Sequence, residues 1–572
     1  MIALRGVRPL AGQRHGQAAV SKLRDGPPDD VQRHTALLSQ IAFFQQPRTR
    51  PARPRIESRC DGNGQPGLHV PGTTGAWVEL GRGHAPTYGG DKRAACPRRP
   101  PEEIMFKAID RAAVGYAPTV RVKRRTLTAL TLFSAVAGVI LTKWSSYGVA
   151  SLYGFAVFAI LGTKLFLSLL PARRWRSPNP HARVGAVVTI YNEDPELLRG
   201  CLDSLLRQTF PLTSIFVIDD ASADLAAYDL ACQYAARDRR ILVRRQPVNM
   251  GKREGLAVGF RAMADQVDVF LCTDSDSRLE PNAVYEGMRP FGSRRITATT
   301  GLVLPSNYGR NALTRLQDVR YANAFLGERA AYSRFGSVLC VCGILAFYRA
   351  NVALHHLDDF VNQRFLGQPA TIGDDRRMTN YCLTAGRVVF VESAIAHTAV
   401  PERFSHYVRQ QARWGRSFFR ESLWVLAKFR PTRAAWWLTL LELTQWMVFS
   451  TILVYFVIVH PLLTGQLLIM QYLLFVGLLA LARAVRYFDV RRVDQPVWSR
   501  LVTFAVAPLY GYLNLLVMLP LRFYSLITLR IVKWGTRKHV EVTAEGTRMA
   551  KTTSGRYRLV DTAPGRYRLK AT

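Results

Sequence analysis

Apolar positions along this chain change their spacing from one region to the next. Between residues 182 and 400, short apolar runs at 184–190, 214–218, 241–243, 267–272 and 388–391 alternate with stretches of helical period. That alternation predicts an α/β sheet with crossover helices, and a ligand site beyond the carboxyl ends of the strands. Two longer apolar runs, 127–142 and 149–170, precede it and are joined by Lys143-Trp-Ser-Ser-Tyr147. A membrane span needs about 20 apolar residues and about 17 can suffice, so the pair predicts a transmembrane hairpin. Apolar runs return at 436–463, 467–481 and 501–529, the last broken by Pro508 and Pro520. Two crossings fit the first two of these; one crossing, two crossings or a re-entrant segment remain open for the third.

The predicted organisation is therefore 105–171 as an N-terminal transmembrane hairpin, 172–404 as a cytoplasmic α/β domain, 405–432 as interfacial helices and 433–533 as a C-terminal membrane region. Residues 534–572 form a basic cytoplasmic tail carrying the repeat Gly555-Arg-Tyr-Arg-Leu559 and Gly565-Arg-Tyr-Arg-Leu569. Residues 1–104 are rich in Arg, Pro, Gly and Gln with no sustained period. They read as a basic arm that cannot bury a core, or as an extension upstream of a start at Met105.

Charge sharpens the membrane reading. The 572 residues carry a formal net charge of +36. Much of it flanks apolar runs, as in Arg121, Lys123, Arg124 and Arg125 before the first pair and Arg173, Arg174 and Arg176 after it. Cations placed so mark the cytoplasmic side, and no zinc-finger, helix-turn-helix or RNA-binding pattern supports nucleic acid as a partner. Lys164, inside an apolar run, is expected either to face protein or a polar channel, or to reach for the interface. The eight cysteines are scattered without paired CxxC elements, which argues for reduced thiols rather than zinc.

Candidate chemistry lies at the ends of the predicted strands. The first runs into Tyr191-Asn-Glu-Asp-Pro195, whose polar groups suit a nucleotide or merely cap the next helix. The second ends in Asp219 and Asp220, one of which suits a base or ribose. Asn249-Met-Gly-Lys-Arg253 opens a helix, where Gly251 admits close backbone approach and Lys252 with Arg253 suit an anion. Asp274-Ser-Asp276 follows an apolar strand; in extended backbone its carboxylates point the same way and suit one hard cation. Gly373-Asp-Asp-Arg376 places Asp374 and Asp375 beside a cation. One acid there can take a proton from an acceptor hydroxyl. Gln410, Arg413 and Trp414 share a helical face, offering a guanidinium for diphosphate and a ring for a sugar, or an amphipathic interfacial helix.

Asp274-Ser-Asp276, Gly373-Asp-Asp-Arg376 and Gln410-Gln-Ala-Arg-Trp414, in that order and spacing, resemble processive family 2 glycosyltransferases. Arg320-Tyr-Ala-Asn-Ala-Phe325, Glu328-Arg-Ala-Ala331, Asn362-Gln-Arg-Phe-Leu-Gly367 and Ser417-Phe-Phe-Arg-Glu-Ser422 resemble bacterial class I hyaluronan synthases over roughly residues 120–530. The resemblance implies a GT-A-type catalytic domain, a Rossmann-like mixed sheet, within a multi-pass helical protein of the plasma membrane. It implies Mg2+ or Mn2+ on Asp276 and Asp274, Asp375 as general base with Asp374 and Arg376 beside it, and a donor site of Tyr191, Glu193, Asp220, Lys252, Asp274, Gln410, Arg413 and Trp414. UDP-GlcNAc and UDP-GlcA would be the donors, a growing polysaccharide the acceptor, and membrane lipids the surroundings. Nodulation-type chitooligosaccharide synthases, using UDP-GlcNAc alone, share every catalytic motif; they often carry Gly-Glu-Asp where this chain has Gly373-Asp374-Asp375. A polysaccharide exporter without catalysis would leave the acidic residues without a role. One departure concerns the acceptor side: relatives usually have Ser-Gly-Pro at Cys342-Gly343-Ile344.

Overall fold

The structure, a computed structural model, describes residues 120–122, 149–465, 469–531, 557–563 and 566–571. The arm at 1–104, the candidate start at Met105, the first apolar run at 127–142 and the tail at 532–556 lie outside the described residues.

The α/β domain is built on an eight-stranded sheet. Its strands are β1 (Val184–Ile190), β2 (Ser214–Asp219), β3 (Ile241–Arg245), β4 (Val269–Asp274), β5 (Ser277–Leu279), β6 (Ile296–Pro305), β7 (Ala346–Arg349) and β8 (Arg387–Thr398). They lie in the order β3-β2-β1-β4-β7-β6-β8-β5. The first four spatial positions are parallel, and β7 is antiparallel to both β4 and β6. Helix α1 (Val149–Leu169) precedes the sheet in the chain, and α2 (Pro195–Leu206), α3 (Ala226–Arg237) and α4 (Lys252–Ala262) are the crossovers between its parallel strands. The apolar runs VGAVVTI of β1 and SIFVID of β2 are buried almost throughout, as strands covered on both faces must be.

Strand β6, missing from the predicted set, is buried at every position despite the sequence ITATTGLVLP. Its hydroxyls are satisfied one by one. Thr297 Oγ1 donates to the carbonyl of Cys382 at 2.8 Å, Thr299 to Gly287 at 2.9 Å and Thr300 to Leu345 at 3.1 Å. A buried hydroxyl is tolerated only when bonded in this way.

Helices α5 (Ala312–Ala322), α6 (Asp374–Ala385) and α7 (Phe404–Lys428) flank the sheet's carboxyl edge. A π-helical segment, Asn323–Arg329, continues α5. Beyond α7 come α8 (Ala434–Val454), α9 (Ile469–Ala484) and the helical segment Val497–Ile527. By length and composition, that last segment is the one helix among the described residues long and apolar enough to cross a membrane. Between α9 and it, Val490–Arg492 pairs antiparallel with Val120–Val122. The repeat in the basic tail forms a hairpin of Tyr557–Ala563 with Arg566–Ala571.

Lys164 on α1 resolves toward the interior reading. Its Nζ donates to Gln445 Oε1 on α8 at 3.2 Å and lies 5.3 Å from the Tyr332 ring centre.

Candidate active site

One cavity of about 660 Å³ runs from the carboxyl ends of β1, β2 and β4 to the space between α1, α8, α9 and the Val497–Ile527 segment. Tyr191, Glu193, Asp220, Lys252, Asp274, Asp276, Asp374, Asp375, Arg376, Gln410, Arg413 and Trp414 all line it. Segments distant in sequence thus converge where an α/β sheet places its ligands.

The loop after β1 is held in an unusual backbone. Asn192 adopts φ 46°, the left-handed region that Asn tolerates better than most residues. Its amide N–H donates to Ser222 Oγ at 2.9 Å, and its Oδ1 accepts from the N–H of Ala223 at 2.9 Å. The loops after β1 and β2 are thereby locked together. Capping of α2 falls to Asp194, which accepts from the N–H groups of Glu196 and Leu197, with Pro195 in the first turn. That leaves Tyr191 and Glu193 on the cavity wall; Glu193 Oε2 accepts from Ser275 Oγ at 2.7 Å.

Asp220 does much of its work inside the protein. Its two oxygens accept from the N–H groups of Met250 and Gly251, each at 2.8 Å. Gly251, at φ 89°, lets the chain turn there without a Cβ. Burial pushes Asp220 above the usual carboxylate range, against those two N–H donors. Asp220 therefore shapes the loop that presents Lys252.

Lys252 sits among three carboxylates. It is ion-paired to Asp274 and lies 4.0 Å from Asp374. Burial pushes its pKa down, but Asp274, Asp374 and Asp375 outweigh burial and hold it above the ordinary lysine value. Arg253, expected beside it on the anion site, does not face the cavity. Its guanidinium is buried, donating to the carbonyl of Phe360 at 2.9 Å and to Gln363 Oε1 at 2.5 Å. Adjacent positions on a helix point about 100° apart, so the packing of α4 takes one cation inward and leaves the other on the wall.

Asp374 and Asp375 open α6. Gly373 caps it at φ 87°, and a Cβ there would lie 2.1 Å from Ser417 Oγ on α7. Glycine is required twice over, for its backbone and for the contact between these helices. Gly373→Ala should misplace α6, lowering turnover at least tenfold and stability by about 1–3 kcal/mol; catalytic activity and thermal unfolding of the purified variant measure both.

Asp375 Oδ1 accepts from the N–H of Arg376 at 2.7 Å, and Oδ2 from the thiol of Cys340 at 3.5 Å. Burial, then neighbouring Asp374, pushes its pKa above the usual carboxylate range, with Arg376 and Lys252 opposing. A raised carboxylate is a better proton acceptor than an exposed one, which suits a general base. Arg376 lies 5.2 Å from the Phe418 ring centre and Arg320 lies 5.1 Å from that of Trp414. The helical face Gln410, Arg413 and Trp414 lines the same cavity as the carboxylates.

Behind the wall, sequence reading passed over Glu421. It is buried on α7, ion-paired at 2.9 Å to buried Arg377 of α6, and accepts from Gln363 Nε2 at 2.8 Å and Asn380 Nδ2 at 3.2 Å. A carboxylate among Phe418, Phe419 and Trp424 was the available signal, since a charge in an aromatic run must be paired.

The family described as glycosyltransferase like family 2 matches residues 180–417. A hyaluronan synthase of Streptococcus pyogenes serotype M3 is 36% identical over 427 residues, covering 73% of this chain and 99% of the relative. An N-acetylglucosaminyltransferase of Rhizobium leguminosarum bv. viciae is 32% identical over 392 residues, covering 66% and 86%. Among solved structures, a mannosyltransferase from Pyrobaculum calidifontis in complex with GDP-Man and Mn2+ aligns at a TM-score of 0.44 and 18% identity, covering 67% of this chain and 99% of that one; at that score it bears on neither fold nor function. The sheet with its carboxyl-edge motifs is a GT-A-type glycosyltransferase domain, and the chain belongs to the hyaluronan synthase family of glycosyltransferases.

Proposed function

We infer that this enzyme makes hyaluronan by alternating transfer from UDP-GlcNAc and UDP-GlcA, inverting each anomeric carbon. The observation that carries this reading is the polarity of the cavity. Its sheet end is lined by Glu193, Asp220, Asp274, Asp276, Asp374 and Asp375 around Lys252; its helical end is lined by Lys164, Arg320, Arg329, Arg483 and Arg522 against Glu328 and Glu442. A cationic tract favours a polymer bearing a carboxylate on every second sugar. A neutral chitin chain gains nothing from it, so the N-acetylglucosaminyltransferase reading is the weaker one.

In this reading the acceptor hydroxyl attacks the donor's anomeric carbon as Asp375 takes its proton and the bond to UDP breaks. Lys252 and Arg413 face the departing diphosphate. Asp274 and Asp276 line the same cavity and offer only oxygen, the donor set of Mg2+ or Mn2+. Among the described residues no cluster of three ligating side chains occurs, so diphosphate and water would complete the coordination. The ion would supply charge neutralisation at the leaving group. Trp414 and Gln410 border the space between donor and acceptor, and Tyr191 with Glu193 borders the nucleoside. The apolar helices α1, α8, α9 and Val497–Ile527 would anchor the enzyme in the plasma membrane as a multi-pass protein, with the catalytic domain cytoplasmic and export coupled to synthesis.

Membranes containing the enzyme should form high-molecular-weight polymer only when both UDP-sugars and a divalent ion are present. EDTA should abolish synthesis, and Mg2+ or Mn2+ should restore it. Polymer from UDP-GlcNAc alone would overturn the hyaluronan assignment in favour of a chitin-type product.

A further inference from the structure

The segment Cys340–Gly343, which leads into the departure at Cys342-Gly343-Ile344, packs directly against Asp375. Its backbone is fixed at the peptide unit that follows Cys340, through both of that unit's polar groups. The carbonyl of Cys340 accepts from Arg329 Nε at 3.0 Å, and the next N–H, that of Val341, donates to Thr379 Oγ1 at 2.9 Å. Thr379 in turn donates to the carbonyl of Asp375 at 2.6 Å. The segment and the first turn of α6 are thus one hydrogen-bonded unit. Gly343 completes the fit: a Cβ on it would lie 3.9 Å from the Asp375 side chain and 3.5 Å from Lys252 Nζ.

Within that unit the Cys340 thiol lies 3.5 Å from Asp375 Oδ2, while Oδ1 is held by the N–H of Arg376. We propose that Cys340 is a positioning residue for Asp375, its thiol hydrogen donated to Oδ2 so that the carboxylate keeps one orientation toward the acceptor hydroxyl. Burial, with Asp375 adding to it, pushes the thiol pKa up to about 12. The group therefore stays protonated and remains a donor. A thiol is a weak donor, but here it meets a carboxylate inside a buried site, where such a bond counts for more than in water. Rotation of Asp375 about its side-chain bonds would cost rate and leave donor binding alone.

The inference rests on Asp375 being the base, and its test separates the two claims. Cys340→Ala and Cys340→Ser are compared with Asp375→Asn and the parent enzyme, measuring kcat and KM for each UDP-sugar and UDP binding by calorimetry. Cys340→Ala should lower kcat three- to tenfold with both KM values and UDP affinity within twofold of the parent. Cys340→Ser restores a donor of similar size and should recover most of that loss. Unchanged kcat in Cys340→Ala overturns the positioning role, as does an equal loss in the Ala and Ser variants, which would mark a packing defect. Wild-type turnover in Asp375→Asn overturns the base assignment itself, whatever the cysteine variants do.

Discussion

Asp375→Asn should abolish elongation while leaving the fold and UDP affinity intact. Asparagine is nearly isosteric, and its one side-chain oxygen can still accept from the N–H of Arg376 at the Oδ1 position, while its amide nitrogen takes the Oδ2 position beside Cys340. It lacks the capacity to take a proton at neutral pH, which is the loss that should dominate. General base catalysis contributes roughly 10²–10⁴-fold, which is about 3–5 kcal/mol of barrier at 1.36 kcal/mol per tenfold. The environment points to Asp375 rather than Asp374 for this role. Asp374 faces Lys252, whereas Asp375 is raised by burial and by its neighbour. Radiolabelled sugar incorporation should drop at least a hundredfold, with the UDP dissociation constant within about threefold of the parent. Residual turnover near the parent value would place the base elsewhere.

The second large effect concerns stability. Glu421→Gln should destabilise the enzyme by about 3–5 kcal/mol, the usual cost of breaking a buried ion pair from one side. Glu421 and Arg377 are both almost fully buried, at 2% and 3% exposure, and Arg420, also buried, lies 3.5 Å from Glu421. Removing the one carboxylate leaves two guanidinium groups without a counter-charge where α6 and α7 meet. Those helices carry the acidic pair and the Gln410–Trp414 face, so activity should fall alongside stability. Thermal unfolding of detergent-solubilised protein should show a midpoint roughly 10 °C lower. The pair Arg377→Met with Glu421→Leu should recover much of the loss, since paired apolar replacements of buried ions are often near neutral. A midpoint unchanged in Glu421→Gln would mean that water already solvates the pair.

How much of this was legible beforehand depends on what kind of signal each feature leaves. The apolar runs of β1, β2 and β4 declared themselves, because parallel strands covered on both faces must be apolar throughout. Strand β6 did not: its threonines read as polar, and only the carbonyls of Cys382, Gly287 and Leu345 around them make burial affordable. Strand β7 is four residues long and runs against its neighbours, too short for a period to register. The motif residues could be chosen from residue type and their place after a strand. Arg253 satisfied the same criteria as Lys252, yet it turns inward to Phe360 and Gln363.

Order along the chain, the strand-end carboxylates and the membrane-like apolar runs follow from local pattern, because each is a property of a few consecutive side chains. Which segments share a wall does not. The thiol of Cys340 beside Asp375, Glu421 beneath both motif helices and Lys164 reaching Gln445 join residues 35, 44 and 281 positions apart. Such contacts exist only once the sheet and helices have packed, since periodicity records that a residue is buried but not against what. The sequence alone therefore determined which chemistry-bearing side chains are present and where along the chain they sit. Tertiary packing decided which acid is desolvated, which cation faces the cavity and what holds the proposed base in place.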